Sequence, residues 1–270
     1  MNCCIGPVSM KPLPKSVVAT YRRLGPSAPL LDKEIESIAD YLRVLDHFEG
    51  FWFRGHADLT WRLVPSALRY GRIERRQKAL ELVNEFRIHA HDKLSSSLGP
   101  SSIIGWMQAA QHYGMPTRLL DWTTSEAVAL YFACLNTRAD GLVCMINPAT
   151  LNRSALPAIG RVIDPEVDVS AIEPYINLDA RIDRKGRPAI AIRPTWNNSR
   201  IQAQEGTFTL HGNQKLCLDE SSCPSLVYVP IRRKHKRQLL SDLDRLGKNE
   251  MTLFPEPDKI SRHLRRKANL

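Results

Sequence analysis

Gln111-His112-Tyr113-Gly114-Met115-Pro116-Thr117-Arg118-Leu119-Leu120-Asp121-Trp122-Thr123 crowds an amide, an imidazole, a guanidinium, a carboxylate and three hydroxyls around a turn. A connecting loop needs few such groups, so the segment reads as one that holds something in place. Upstream, Ile103 to His112 is predicted to be the helix that delivers the chain here; Gly114 supplies a left-handed C-cap and Pro116 forbids continuation. Thr117 to Thr123 then reads as a loop. Downstream, Thr123 with Glu126 three residues later fits a capping box for a helix from Ala127 to Leu135. That helix is apolar nearly all round and is expected to be buried.

Working outward, Ile35, Ile38, Ala39, Leu42 and Leu45 recur at three- and four-residue intervals, as do Ala79, Leu82, Val83, Phe86, Ala90 and Leu94. Both runs predict amphipathic helices, the second leaving His89 at a surface position. Strands are expected at Phe51–Gly55, Gly141–Ile146, Ala189–Ile192, Gly206–Leu210 and Leu226–Val229. Helices mainly in the first half and strands largely in the second predict the α+β class, helices packed on a mixed or antiparallel sheet. Residues 1–30, with Pro7, Pro12, Pro14, Pro26 and Pro29, read as an N-terminal arm. The domain is expected to span 31–264, with 147–188 as an insertion or lid and 265–270 as a basic tail.

A second dense cluster, Phe51-Trp52-Phe53-Arg54-Gly55-His56, precedes Trp61, Pro65 and Arg69. Arg54 at a strand exit suits a phosphate or carboxylate fork, and the glycine after it permits close backbone approach. The structural alternative is an ion pair with Asp121. In the Thr117 to Thr123 segment, Asp121 can accept from ribose hydroxyls, Arg118 can meet phosphate, and Trp122 can cover a ring. Its alternative is self-satisfaction, with Asp121 on Arg118 and Thr123 serving only as a cap. His112, without a nearby Cys or His, reads more readily as a hydrogen-bonded structural residue. A third run, Gln204-Glu205-Gly206-Thr207-Phe208, places an amide and a carboxylate at the start of a strand, of which one faces inward.

These blocks carry a family resemblance. Phe53-Arg54-Gly55, Tyr113 to Thr123, and Arg200 to Phe208 resemble, in order, the FRG domain of bacterial and phage proteins, named for its aromatic-Arg-Gly motif. The likeness extends from about Ile35 to Leu264, places Gln204 in register as the site residue, and brings no established activity. By analogy, an early arginine, a hydroxyl-bearing middle block and a late Gln/Glu strand follow the order of ADP-ribosyltransferase sites. On that analogy Arg54 anchors the phosphates of NAD as substrate, and His112, Thr117, Arg118, Asp121, Trp122 and Thr123 shape the binding pocket. Gln204 or Glu205 then holds the ribose hydroxyl beside an oxocarbenium-like state. The rival readings are a non-catalytic module binding nucleotide, nucleic acid or protein, and a buried polar network that acts on nothing.

Composition narrows the setting. The chain has 270 residues, 43% of them hydrophobic, enough for a sizeable core. No apolar run spans a bilayer and the start lacks a signal-peptide core, so no membrane association and a cytosolic location are expected. Six cysteines without a Cys-x-x-Cys pair indicate neither a disulfide framework nor a zinc ribbon, and no metal-ligand spacing is visible. Cys134 and Cys144 read as buried thiols. There is no Gly-x-Ser-x-Gly elbow, P-loop or dinucleotide fingerprint. Net charge is +10; from Ile231 onward twelve Lys or Arg against five Asp or Glu give +7. This segment is a solvated face or a surface for nucleic acid or an acidic partner. No feature sets the oligomeric state.

Overall fold

The computed structural model describes residues 10–16, 18–19, 30–94, 98–99, 102–176, 186–196, 198–212, 218, 223 and 225–268. Most of the expected arm, part of 147–188, the last two residues, and Cys3, Cys4 and Cys217 lie outside them. A six-stranded antiparallel sheet is flanked by helices, which makes the fold α+β. The elements are α1 (Ile38–Leu45), β1 (Trp52–His56), α2 (Ile73–Leu94), α3 (Ile103–His112), β2 (Leu119–Thr123), α4 (Glu126–Cys134) and β3 (Gly141–Ile146). They continue with α5 (Pro148–Ala155), α6 (Val169–Ile176), β4 (Ile190–Ile192), α7 (Ser199–Ala203), β5 (Gly206–Leu210), β6 (Val227–Ile231), α8 (Arg233–Arg245), α9 (Glu250–Leu253) and α10 (Pro257–Lys267).

Strand order is β4-β5-β2-β1-β3-β6, so the two central strands come from the first half of the chain. The expected loop Thr117 to Thr123 is strand from Leu119 onward: β2 runs against β5 in the register Leu119↔Leu210 to Thr123↔Gly206, with Leu119, Leu120 and Trp122 buried in the core on its two faces. β1 pairs with β3 along its full length, from Trp52↔Ile146 to His56↔Leu142. Between β1 and β2 the only registered pair is Phe53↔Thr123. Beyond it the two strands separate, and this gap positions the site. Pro230 sits in β6, an edge strand, where a missing N–H donor is tolerated.

Side-chain alternation divides the core by sheet face. On one face lie two clusters side by side. One joins Phe53, Val143 and Met145 to α4, α8 and Tyr41 of α1; the other joins Leu119, Phe208 and Leu210 to α3 and α6. The opposite face buries Trp52, Leu120, Trp122 and Cys144 with Leu151 of α5. α4 lies directly on β1 and β3, because a Cβ at Gly55 would fall 2.0 Å from Ala129 O and one at Gly141 would fall 2.3 Å from Ala133 O. The close approach that Gly55 permits is thus to a helix backbone.

Local expectations meet specific outcomes. α3 has the predicted span, and Gly114 takes φ 87° after it. The expected capping box at Thr123 does not form. The N-cap of α4 is Ser125, and Thr123, held in β2, donates to Gln204 O at 2.7 Å and accepts from Ser125 N at 3.0 Å. In 147–188, Asn152 of α5 ties the segment to β4, donating to Ala191 O at 2.8 Å and accepting from Ala191 N at 2.7 Å. α10 carries the basic ending through Lys267. Cys134 and Cys144 are both buried. Among the described residues no helix is long and apolar enough to cross a membrane.

Candidate functional site

Arg54 occupies the gap between β1 and β2. Its Nη1 donates to Asp121 O at 2.6 Å, its Nε donates to His56 Nε2 at 3.1 Å, and the Asp121 carboxylate lies 3.7 Å away. Asp121 Oδ1 also accepts from Gln111 Nε2 at 2.6 Å, and Gln111 Oε1 accepts from the Thr117 hydroxyl. A continuous polar chain therefore runs Thr117, Gln111, Asp121, Arg54, His56. Burial lowers the pKa of Arg54, with Asp121 opposing the shift; a guanidinium remains a cation at neutral pH. His56 is pushed down to about 3, first by burial and then by Arg54, so its imidazole is neutral.

Two concavities meet at this chain. The larger, about 380 Å³, opens between α3, α4, α7 and the splayed strands, with Phe53, Val128, Phe132 and Phe208 as apolar wall. Its polar lining includes Arg54, Gln108, Gln111, His112, Asp121, Asn198, Arg200 and Gln204. The smaller, about 200 Å³, is lined by Arg54, Ser66, Arg69, Gln111 and Asp121 among others. Arg54, Gln111 and Asp121 belong to both. Arg69 is fixed by its Nε on Val64 O at 3.1 Å, and its charge is one of the influences that lower Arg54. Two guanidiniums with one carboxylate between them make an electropositive pocket.

The residues expected from sequence divide cleanly. Arg54, His112, Asp121, Trp122, Thr123 and Gln204 line the larger cleft. Trp122 does so with its indole buried and its Nε1 on Thr209 Oγ1 at 3.0 Å, so the ring is not free to cover a ligand. Thr123 is spent on Gln204 O. Thr117 reaches the site only through Gln111. Arg118 is 1% exposed and bonds Tyr175 O and, at 2.8 Å, His211 O, which places it in the core away from either concavity. The pairing of Asp121 with Arg118 accordingly does not occur. Gln204 sits at the cleft with Nε2 on Leu253 O at 3.0 Å. Glu205, at φ 47°, turns out to pair with Lys248 at 3.2 Å and lies outside the cleft.

Sequence reasoning passed over Gln108, Asn198 and Arg200. Gln108 lies in the helix read only as delivering the chain to the turn, Asn198 precedes the third motif block, and Arg200 opens that block but carried no assigned role. Arg200 stands 4.9 Å over the Phe254 ring and 3.7 Å from Glu256. Burial, then Arg200, lowers the His112 pKa, so that side chain faces the cleft as a neutral ring. A separate trio, Glu34, Glu36 and His235, could hold a metal ion, with ligand atoms within 4.8 Å of one another. Lys234 already sits 2.8 Å from Glu34 Oε1, and none of the three lines the cleft.

No curated protein and no solved structure matches the chain. One family model does, at residues 49–141, a segment holding Phe53-Arg54-Gly55 and the whole Gln111 to Thr123 stretch, while Arg200 to Phe208 falls outside it. These two blocks and the model they match make residues 49–141 an FRG domain.

Proposed function

We propose that the paired concavities form a nucleotide site, with the phosphate held by Arg54 and Arg69 and the ring in the larger cleft. The observation that carries this reading is the sharing of Arg54, Gln111 and Asp121 by a small cationic pocket and a larger aromatic-walled one. A ligand that is anionic at one end and flat at the other satisfies both, and bidentate guanidinium contacts suit phosphate.

Among reactions open to such a site, glycosyl transfer from NAD suits its groups best. The bond from ribose to the nicotinamide nitrogen breaks, the electron pair leaves with nicotinamide, and a nucleophile bonds to the same carbon. The intervening oxocarbenium-like state needs a negative or dipolar group beside the ribose. In the cleft that group is Asp121, with Gln204 as the neutral alternative; Glu205 is turned to Lys248 and takes no part. A non-catalytic nucleotide module is the second reading, favoured by the engagement of the Asp121 carboxylate with Gln111 and Arg54.

The test is thermal stability with and without a panel of nucleotides including NAD, on the wild type, Arg69→Ala and Asp121→Asn. A ligand that binds only the folded state raises its melting temperature. A shift lost in Arg69→Ala supports the site; no shift with any nucleotide refutes it. Nicotinamide release by the wild type and not by Asp121→Asn separates the enzyme from the binding module.

A further inference from the structure

Two carboxamides at one corner of the cleft have their oxygens committed and their nitrogens unmet. Gln108 is 2% exposed, and its Oε1 accepts from Thr195 N at 3.1 Å and Trp196 N at 2.8 Å. An oxygen bound to two main-chain N–H groups fixes the orientation of the amide, so NH2 is what Gln108 has left to present. Asn198, two residues past Trp196, repeats the arrangement: its Oδ1 accepts from Arg200 N and Ile201 N, both at 2.9 Å. Both side chains line the larger cleft. Neither Gln108 Nε2 nor Asn198 Nδ2 has a hydrogen-bond partner among the described residues, and both atoms are sealed from bulk water. Buried unmet donors are unfavourable, and each one calls for a group that completes it.

We infer that Gln108 and Asn198 are specificity determinants of the cleft, two oriented donors that a small shift of neighbouring side chains uncovers to a ligand ring edge carrying acceptor atoms. The inference rests on the nucleotide reading above and narrows it to bases with a keto oxygen, or rings bearing a carboxamide oxygen, at that edge. An amino base places N–H groups against the two NH2 groups. The NH2 group that faced the keto oxygen is then left without an acceptor, and a site built to bond that oxygen disfavours the mismatched partner.

Calorimetric titration of the full chain decides the matter with matched pairs: inosine against adenosine 5′-monophosphate, and uridine against cytidine 5′-monophosphate. The keto member of each pair is expected to bind at least about tenfold tighter. Gln108→Glu keeps one oxygen for Thr195 and Trp196 and replaces NH2 by an acceptor; Asn198→Asp does the same and retains a good N-cap. Either variant should abolish or reverse the keto preference, and the ratio within a pair cancels any general repulsion of phosphate by the new charge. If Gln108→Glu does not fold, Asn198→Asp decides alone. Equal affinities within both wild-type pairs, or a preference untouched by the folded variants, overturn the inference and leave the nucleotide site standing. Failure of all four monophosphates to bind removes the nucleotide reading and the inference with it.

Discussion

Arg54 donates from Nη1 to the main-chain carbonyl of Asp121 at 2.6 Å, at the place where β1 and β2 have ceased to pair. A side chain thus does for β2 what a neighbouring strand's N–H does elsewhere in the ladder. Arg54→Ala leaves that carbonyl and His56 Nε2 without a donor and should cost about 3 kcal/mol of folding stability. Urea denaturation measures it. A variant as stable as the wild type would mean that Arg54 serves only a ligand.

Gly55→Ala is expected to be more disruptive than its single methyl group implies. The new Cβ would meet Ala129 O at 2.0 Å and Ala133 N at 2.5 Å, both backbone atoms that no rotamer change can move. α4 must lift from β1, at a cost of about 3 kcal/mol or more. The melting temperature should fall accordingly, and an unchanged value would contradict the packing of α4 on β1.

Stability should fall on acidification through two histidines. His56 and His211 are buried and pushed down to about 3, His56 by burial and then Arg54, His211 by burial and then Arg118 and Arg54. Unfolded, each returns to about 6.5. Between these values the unfolded chain binds more protons, so stability is lost as pH drops from about 6.5 toward 3 and is flat with respect to these groups above that window. The slope reaches at most about 1.4 kcal/mol per pH unit for each histidine. His56→Gln, which keeps an acceptor for Arg54, should reduce the slope between about pH 4 and 6. An identical slope in the variant would show that His56 is not held neutral by the fold.

Asn152 is fully buried, and its side chain closes a two-way bond with the Ala191 peptide while also donating to Arg161 O at 2.6 Å. Asn152→Leu keeps the branched heavy-atom shape and takes the side-chain partner from Ala191 N and Arg161 O, for an expected loss of about 3 kcal/mol. Hydrogen exchange should quicken at Ile163 and Arg193, whose amides bond across the same seam. Protection at both sites in the variant would argue that α5 is dispensable to β4.

Glu205 holds φ 47°, a conformation that favours glycine, and its exposed carboxylate pairs with the half-buried Lys248. Glu205→Gly should therefore be neutral or stabilise by up to about 1 kcal/mol. Nucleotide-induced stabilisation should persist in it. Its loss would place Glu205 in the binding site after all.

How far the fold could be read from sequence depended on where the deciding contacts lay. α3, β3 and β5 were legible because periodicity and turn chemistry act within a few residues: Gly114 and Pro116 end one element, and Gly141 begins another. β2 was misread as a loop because Arg118, Asp121 and Thr123 look like loop chemistry when their partners, at Tyr175, Gln111 and Gln204, are out of view. Arg54, Asp121 and Gln204 could be named since charge and amide groups in motif blocks stand out. Arg118 looked equivalent to Arg54, and only the fold separates a guanidinium satisfied by core carbonyls from one at a cleft. Gln108 was illegible for a related reason, as its oxygen partners belong to a turn more than eighty residues away.

The single registered pair Phe53↔Thr123 has a consequence for recognition. The cleft is a vacancy in a hydrogen-bonded ladder, walled by strands and by helices anchored to them, and no long loop must close for it to exist. The ordering of its walls is completed when the chain folds, so an incoming ligand finds them preorganised and little affinity is lost to immobilising them. Free and liganded forms should then share one backbone, with recognition set by which atoms the visitor brings.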